Sequence, residues 1–292
     1  MSNELPASVD HTVRDWLQSH DFGSPLSWRE LGGSSSNTCF LVDTDKSLSV
    51  VAKVSGLATD DRWLCEADGL KLLAASDAIR TPDVLYVDDQ CLLLEYIPSI
   101  QQSTHYWTQL AEQLAQLHAT SHAQNLFGLE SDNYCGDNRQ HNGWHEDGFT
   151  LFGEHRLLCQ ARLAYDNGYL ESPWIIHIET ICERLPELIP LQPCSLIHGD
   201  LWPGNILVDD RGLPALIDPA AHYGWREADI AMSLLFGGLP HDFYCAYEQA
   251  WPMEPDWRKR VPLYNLYHLL NHLNIFGVSY LDQVHATVSR YA

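Results

Sequence analysis

Lysine is scarce: the 292-residue chain carries it only at positions 46, 53, 71 and 259, and 17 Lys and Arg face 39 Asp and Glu for a net charge of −22. Proteins that grip a nucleic-acid backbone release its counterions with clustered basic side chains. Nucleic acid is therefore excluded as an expected partner. Long apolar runs are missing too; none approaches the ~20 residues that cross hydrocarbon. The opening "MSNELPASVDHTVRDWL" lacks a basic start followed by an apolar stretch. No membrane partner and a cytoplasmic location are expected. The eight cysteines, at 39, 65, 91, 135, 159, 182, 194 and 245, never form a Cys-x-x-Cys pair. That spacing excludes the common zinc and dithiol motifs and reads as reduced intracellular thiols. No fixed-period repeat is present, which excludes a solenoid.

What is present is enough apolar material for a core, 45% hydrophobic against 19% charged residues over 292 positions. A chain of this length makes one large domain or two lobes around a cleft. "DHTVRDWLQSH" predicts a leading helix. "SWRELGGSSSNTCFLVDT" predicts two strands around a Gly- and Ser-rich turn, and "SLSVVAKVS" a third, β-branched strand. In "DDRWLCEADGLKLLAAS" the residues Trp63, Leu64, Ala67, Leu70 and Ala74 recur at helical spacing, with Asp60 and Asp61 near the start. "PDVLYVDDQCLLLEYI" reads as a hairpin turning at Asp88, Asp89 and Gln90. After Pro98 the texture changes: "TQLAEQLAQLHATSH" aligns Leu110, Leu114 and Leu117 on one stripe, and helices are expected at 226–236, 241–250 and 257–276. The expected boundary divides a nucleotide-binding lobe, 1–97, from a catalytic and substrate-binding lobe, 98–292. The fold class is α+β, a bilobal protein-kinase-like architecture: a small antiparallel sheet with one key helix, then a larger helical lobe.

The chemistry concentrates in "LIHGDLWPGN", residues 196–205. Phosphoryl transfer needs a carboxylate to take the acceptor hydroxyl's proton and oxygen ligands to hold magnesium. Asp200 followed five positions later by Asn205 has the Asp-to-Asn spacing of a kinase catalytic loop, and Asp218 in "ALIDP" stands where a kinase keeps its second metal-binding carboxylate. Either Asp alone would more often cap a turn; the ordered set argues for chemistry. Asp200 is the expected base, and Asn205 and Asp218 are the expected metal ligands. Lys53 on the third strand matches the lysine that touches the nucleotide phosphates, unless it lies on an edge strand facing water. Glu66 on the following helix would orient it. Gly32 and Gly33 open the turn whose amides could cover phosphates, and Glu95 and Tyr96 fall at the lobe connector, where backbone groups would meet adenine.

"HGDLWPGN", together with "EADGLKLL" at 66–73, "DPAAHYGWREADIAM" at 218–232 and "LYHLLNHLNIFGVSYL" at 266–281, resembles the fructosamine kinase (ketosamine 3-kinase) family. That family is related to aminoglycoside phosphotransferases and choline kinases, and Trp202 is the residue that narrows the resemblance. The resemblance implies ATP and Mg2+ as cofactors. It also implies phosphorylation of the C3 hydroxyl of a small-molecule ketosamine or a glycated-protein substrate. Asp229 would support the catalytic loop, and His198 would pack and hydrogen-bond within it. In the inter-lobe insert, Asn142 and Trp144 could face the substrate or hold the insert together, and Trp202 is a third candidate contact. Gly148 stands where the family often has a second Trp. Some members carry a Cys in the glycine-rich turn that permits redox control; Ser35 is near that place and Cys39 lies beyond it, so no such switch is expected. His268 and His272 form an H-x-x-x-H pair, but Leu269 occupies the position where a zincin needs Glu. With Leu266, Leu270 and Leu273 interleaved, a core helix is expected and no zinc site. The alternatives are a related aminoglycoside, choline or other sugar kinase, or a non-catalytic nucleotide-binding module. Oligomeric state stays open, with a monomer favoured.

Overall fold

A computed structural model of the chain describes residues 7–33, 37–55 and 61–292. Ser35 and Asp60 lie outside the described residues. The chain begins with α1 (Ala7–Ser19), β1 (Pro25–Gly33), β2 (Asn37–Thr44), β3 (Ser49–Ser55), α2 (Arg62–Ala74), β4 (Val84–Val87) and β5 (Cys91–Glu95). The strands form an antiparallel sheet in the order β1-β2-β3-β5-β4. The alternation of β3 decides where its lysine goes. Val50, Ala52 and Val54 pack into the cluster that α1 covers with Val9, Val13, Trp16 and Leu17. Val51 packs on the other face with Trp63, Ala67 and Leu70 of α2. Because side chains alternate along a strand, Lys53 shares the face of Val51 and points toward α2. It sits on a central strand, paired with Cys39 of β2 and Leu92 of β5, so the edge-strand alternative fails.

The second half continues with α3 (Tyr106–Ala119), β6 (Phe127–Leu129), β7 (Asn133–Cys135), β8 (Asn138–Gln140), β9 (Gly143–His145) and α4 (Gly148–Phe152). A π-helical turn (Gly153–Leu158) leads to α5 (Cys159–Asp166), α6 (Ser172–Glu183) and α7 (Leu185–Leu188). Next come β10 (Ser195–Ile197), a 3-10 turn (Pro203–Asn205), β11 (Ile206–Val208), β12 (Pro214–Leu216), β13 (His222–Gly224), α8 (Arg226–Leu235), α9 (His241–Ala250) and α10 (Trp257–Phe276). A last 3-10 turn, Val278–Tyr280, precedes α11 (Leu281–Tyr291). The expected helices at 226–236, 241–250 and 257–276 appear within a residue of their predicted ends. Not foreseen were the four-stranded sheet β10-β13-β6-β9 and the β7-β8 hairpin, because three-residue strands carry too little periodicity to read.

α10 runs through the core of this half: Leu263, Leu266, Leu270 and Leu273 are fully buried. Each such leucine contributes roughly 1.5–3 kcal/mol through burial. Gly148 is explained by packing, since a Cβ there would lie 2.5 Å from the Trp225 ring. Trp225 itself meets Phe127, Phe149 and Phe152 edge-on or tilted.

Two sets of ion pairs tie the halves together. Arg80 donates to Glu95 at 2.6 Å, to Asp209 at 2.9 Å and to Asp210 at 2.7 Å. The β7-β8 hairpin docks on α2 through Arg62 and Asp137, 3.0 Å apart, and Arg139 and Asp61, 2.9 Å apart. α2, which carries Glu66, is thereby anchored at its N-terminal end. Among the described residues no helix is long and apolar enough to cross a membrane.

Candidate active site

A cleft of about 850 Å³ lies between the sheet and the helical half. Gly32, Gly33, Lys53, Glu66, Glu95, Tyr96, Asp200, Trp202, Asn205 and Asp218 all line it. Ten of the residues singled out from sequence therefore share one concave surface. Lys53 Nζ donates to Glu66 Oε1 at 2.6 Å and to Asp218 Oδ1 at 2.5 Å. Burial would lower the ammonium pKa, but the two carboxylates overrule it and raise it, so Lys53 is charged at every physiological pH. The cation links β3, α2 and the segment after β12.

Local backbone geometry places the carboxylates. Gly199 has φ +81°, and a Cβ there would stand 2.2 Å from the Ala220 carbonyl oxygen. Only glycine admits that close approach. Asp218 itself sits at φ +54°, a left-handed conformation that Asp tolerates better than bulkier residues. Asn205 Nδ2 donates to the Asp200 carbonyl at 2.9 Å and to Asp200 Oδ2 at 3.1 Å. Burial pushes the Asp200 carboxyl up to about 7; Asn205 opposes this, and the charges of Asp218 and Asp229 add to it.

Asp229 and His198 stand behind the loop. Asp229 Oδ2 accepts from the His198 amide at 2.7 Å and Oδ1 from the Gly199 amide at 2.8 Å. Its third partner is His118 Nε2 at 3.1 Å, whose Nδ1 meets the Tyr247 hydroxyl at 2.7 Å. His198 Nδ1 accepts from the Asp200 amide at 3.2 Å, which leaves Nε2–H to donate to the Ile217 carbonyl at 2.9 Å. One imidazole thus spans the backbones that carry Asp200 and Asp218. His118 was missed in the sequence, although it continues the stripe of Leu110 and Leu114 on α3, a signal for a core-facing histidine.

Other predicted residues sit elsewhere. Asn142 is buried outside the cleft and fully engaged: Nδ2 donates to the Ser131 carbonyl at 3.0 Å and to Asn133 Oδ1 at 2.9 Å, and Oδ1 accepts from Arg156 at 2.7 Å. Trp144 is on β9, with its ring 4.5 Å from His122 and 6.0 Å from Tyr223. Neither lines the cleft, so of the two readings left open for this pair, holding the insert together is the one the geometry supports. The Glu95 carboxylate turns to Arg80 and to the Asp83 amide, and the Glu95 amide donates to the Asp83 carbonyl at 2.9 Å. That side chain closes the lobe connector.

Trp202 lies over Gly204, where a Cβ would meet its ring at 2.2 Å. This explains the glycine two positions on. Its ring begins an aromatic rim: Trp202 to Phe236 at 6.1 Å, Phe236 to His272 at 5.3 Å, and His272 to Phe276 and Tyr280 at 5.4 and 5.1 Å. Of this rim, Trp202 lines the cleft with Asp200, and Phe236 and Phe276 are exposed. Sequence reading did not single out Phe236 and took His272 as part of a core helix, because helical spacing alone cannot distinguish a core aromatic from an exposed one.

Buried histidines set the acid stability. Burial pushes His222 and His268 down to about 3 from 6.5, helped by Arg156 and His272 respectively. The unfolded chain then binds protons that the native one excludes, so stability is fully present above pH 6.5 and falls toward pH 3. Each histidine contributes about 1.4 kcal/mol per pH unit in that window. Asp200, raised to about 7, has the opposite sign and offsets about one of them. Without divalent cation, the urea midpoint should therefore be clearly lower at pH 5 than at pH 7.5, and Asp200→Asn should steepen the fall. An unchanged midpoint would contradict the histidine assignment.

The profile of the fructosamine kinase family matches residues 11–292. A protein of Vibrio parahaemolyticus named as a probable ketoamine kinase is 35% identical over 264 residues, covering 89% of this chain and 90% of that protein. The chloroplastic protein-ribulosamine 3-kinase of Arabidopsis thaliana is 31% identical over 98% of this chain and 89% of its own. A solved structure from Thermobifida fusca, assigned to the fructosamine-3-kinases, superimposes with a TM-score of 0.87 at 30% identity, covering 99% of this chain and 98% of that one. The gentamicin complex of the aminoglycoside phosphotransferase APH(2")-IIa shares the fold, with a TM-score of 0.68 at 16% identity over 100% of this chain and 97% of the other.

Proposed function

The chain belongs to the fructosamine kinase family, and on that premise we propose that it transfers the γ-phosphoryl group of ATP to the C3 hydroxyl of a ketosamine. The observation that carries this reading is the convergence of Lys53, Glu66, Asp200, Asn205 and Asp218 on one cleft. Lys53, held by Glu66, binds the α- and β-phosphates. The backbone amides of Gly32 and Gly33, which line the cleft, cover them, and the backbone of the connector at Tyr96 receives adenine. Asp200 orients the acceptor hydroxyl and takes its proton.

Asn205 and Asp218 suit magnesium. Both line the cleft and offer a hard amide or carboxylate oxygen, the donor type Mg2+ prefers. Asn205 Nδ2 is committed to Asp200, which orients the amide so that its carbonyl oxygen is the remaining donor. When bound, the ion neutralises charge on the transferring phosphate. The protein contributes position and fixed charge, which is most of what phosphoryl transfer requires. The rim of Trp202, Phe236 and His272 offers flat faces that suit a sugar ring and a cationic amine, and the net charge of −22 favours a cationic substrate.

The test is ADP release with ATP and magnesium across fructose-, ribulose- and erythrulose-amines, with choline and an aminoglycoside as controls, and phosphorus NMR to locate the product phosphate. Turnover should be confined to ketosamines, with the phosphate on C3. Turnover of choline with none of the ketosamines would reject the substrate assignment.

A further inference from the structure

Cys135 at the end of β7, Asp200 in the catalytic loop and His268 on α10 bring one ligand atom each within 4.8 Å of one another. No local spacing links them; the tertiary fold alone makes the cluster. Cys135 and His268 are 3% and 4% exposed, and His268 Nδ1 is buried without a hydrogen-bond partner. An unmet buried imidazole nitrogen costs about 1–3 kcal/mol, so its retention calls for a reason. His272, its sequence partner in H-x-x-x-H, turns away: its Nδ1 meets the His268 carbonyl at 2.6 Å and its ring joins the aromatic rim. Burial keeps His268 neutral, the form that ligates metals. Burial also raises the Cys135 thiol, while the nearby buried Arg156 favours its thiolate.

We propose that Cys135, Asp200 and His268 form a site for a thiophilic divalent cation of the Zn2+ class, and that its occupation inhibits the kinase. Thiolate, imidazole and carboxylate are the zinc donor set, whereas Mg2+ selects oxygen. The site is therefore distinct from the magnesium position at Asn205 and Asp218. With zinc bonds of about 2.0–2.3 Å, tetrahedral ligand atoms stand about 3.3–3.5 Å apart, so atoms within 4.8 Å of one another close by about 1.5 Å at most. As the sulfur–metal bond forms, the Cys135 thiol proton leaves to solvent through the cleft that Asp200 lines. Water from the cleft fills the fourth position. A ligated Asp200 cannot accept the hydroxyl proton. The inhibition rests on Asp200 being the base; the binding does not.

The full chain is titrated with Co2+ and read by its near-ultraviolet thiolate-to-cobalt absorption, with Zn2+ as the displacing ion. The band should vanish in Cys135→Ser, and cobalt affinity should fall on the order of tenfold or more in His268→Asn. It should persist in Cys245→Ser, the control for the Cys245 and His241 pair, 3.1 Å apart on α9. At saturating Mg-ATP, Zn2+ should inhibit the wild type reversibly on chelation, with the half-inhibitory concentration raised about tenfold or more in both site variants. A band that survives Cys135→Ser, or one lost only in Cys245→Ser, overturns the site. Equal zinc inhibition in all three proteins overturns it as well. Cobalt bound through Cys135 in a kinase that zinc leaves fully active upholds the site and rejects both its inhibitory role and Asp200 as base.

Discussion

Asp200→Asn is expected to lower kcat toward a ketosamine by about 10³-fold while leaving the KM for ATP within about threefold. The substitution keeps volume and a hydrogen-bond acceptor, so Asn205 retains its contact with this side chain, now 3.1 Å from Asp200 Oδ2. What is lost is the ability to take a proton. Stability should not fall, because the wild-type carboxyl is raised to about 7 mainly by burial, and a neutral amide escapes that desolvation. Activity and stability are thus expected to separate. Steady-state kinetics beside thermal unfolding checks both; a variant that turns over every substrate like the wild type would reject the base assignment.

Lys53→Ala is expected to act on the nucleotide, lowering kcat/KM for ATP on the order of 10²-fold, which corresponds to about 2.7 kcal/mol. Lys53 bonds to Glu66 and Asp218 at once, so its loss sets two carboxylates free beside the phosphates. Removing one partner of a buried pair also costs about 3–5 kcal/mol, because the other charge stays behind. The double variant Lys53→Ala, Glu66→Gln should consequently be no worse in kcat/KM than Lys53→Ala alone, and more stable than it. Additive losses would show that Glu66 acts independently of Lys53, and unchanged nucleotide kinetics in the single variant would remove Lys53 from the site.

The comparison of sequence with structure divides along a physical line. Lys53 and Glu66 were legible because strand alternation and helical periodicity fix which face a side chain takes. Asp200, Asn205 and Asp218 were legible because a catalytic loop works through short spacings along one stretch of backbone. The side-chain partners of Asn142, Glu95 and Trp144 were left open by the sequence. Their side chains are claimed by Arg156, by Arg80, and by His122 and Tyr223, partners that lie far off in sequence or outside any periodic pattern. The four-stranded sheet β10-β13-β6-β9 was not foreseen for a related reason: it sets Tyr223 of β13 opposite Gly128 of β6, and nothing within three residues announces so distant a pairing.

By itself, then, the amino-acid sequence determined a bilobal α+β kinase of a particular family, the order of elements in its first lobe, and the residues that meet in its cleft. Those features depend on local periodicity and on spacing over a few residues. The tertiary structure alone decided that His118 and Tyr247 brace the loop through Asp229, that the β7-β8 hairpin seats α2, and that Cys135 and His268 reach the rear of Asp200. Each of these depends on segments more than a hundred, or several tens, of residues apart. Only the packing of one core selects such partners, because burial makes every polar atom find a match among whatever neighbours the fold supplies.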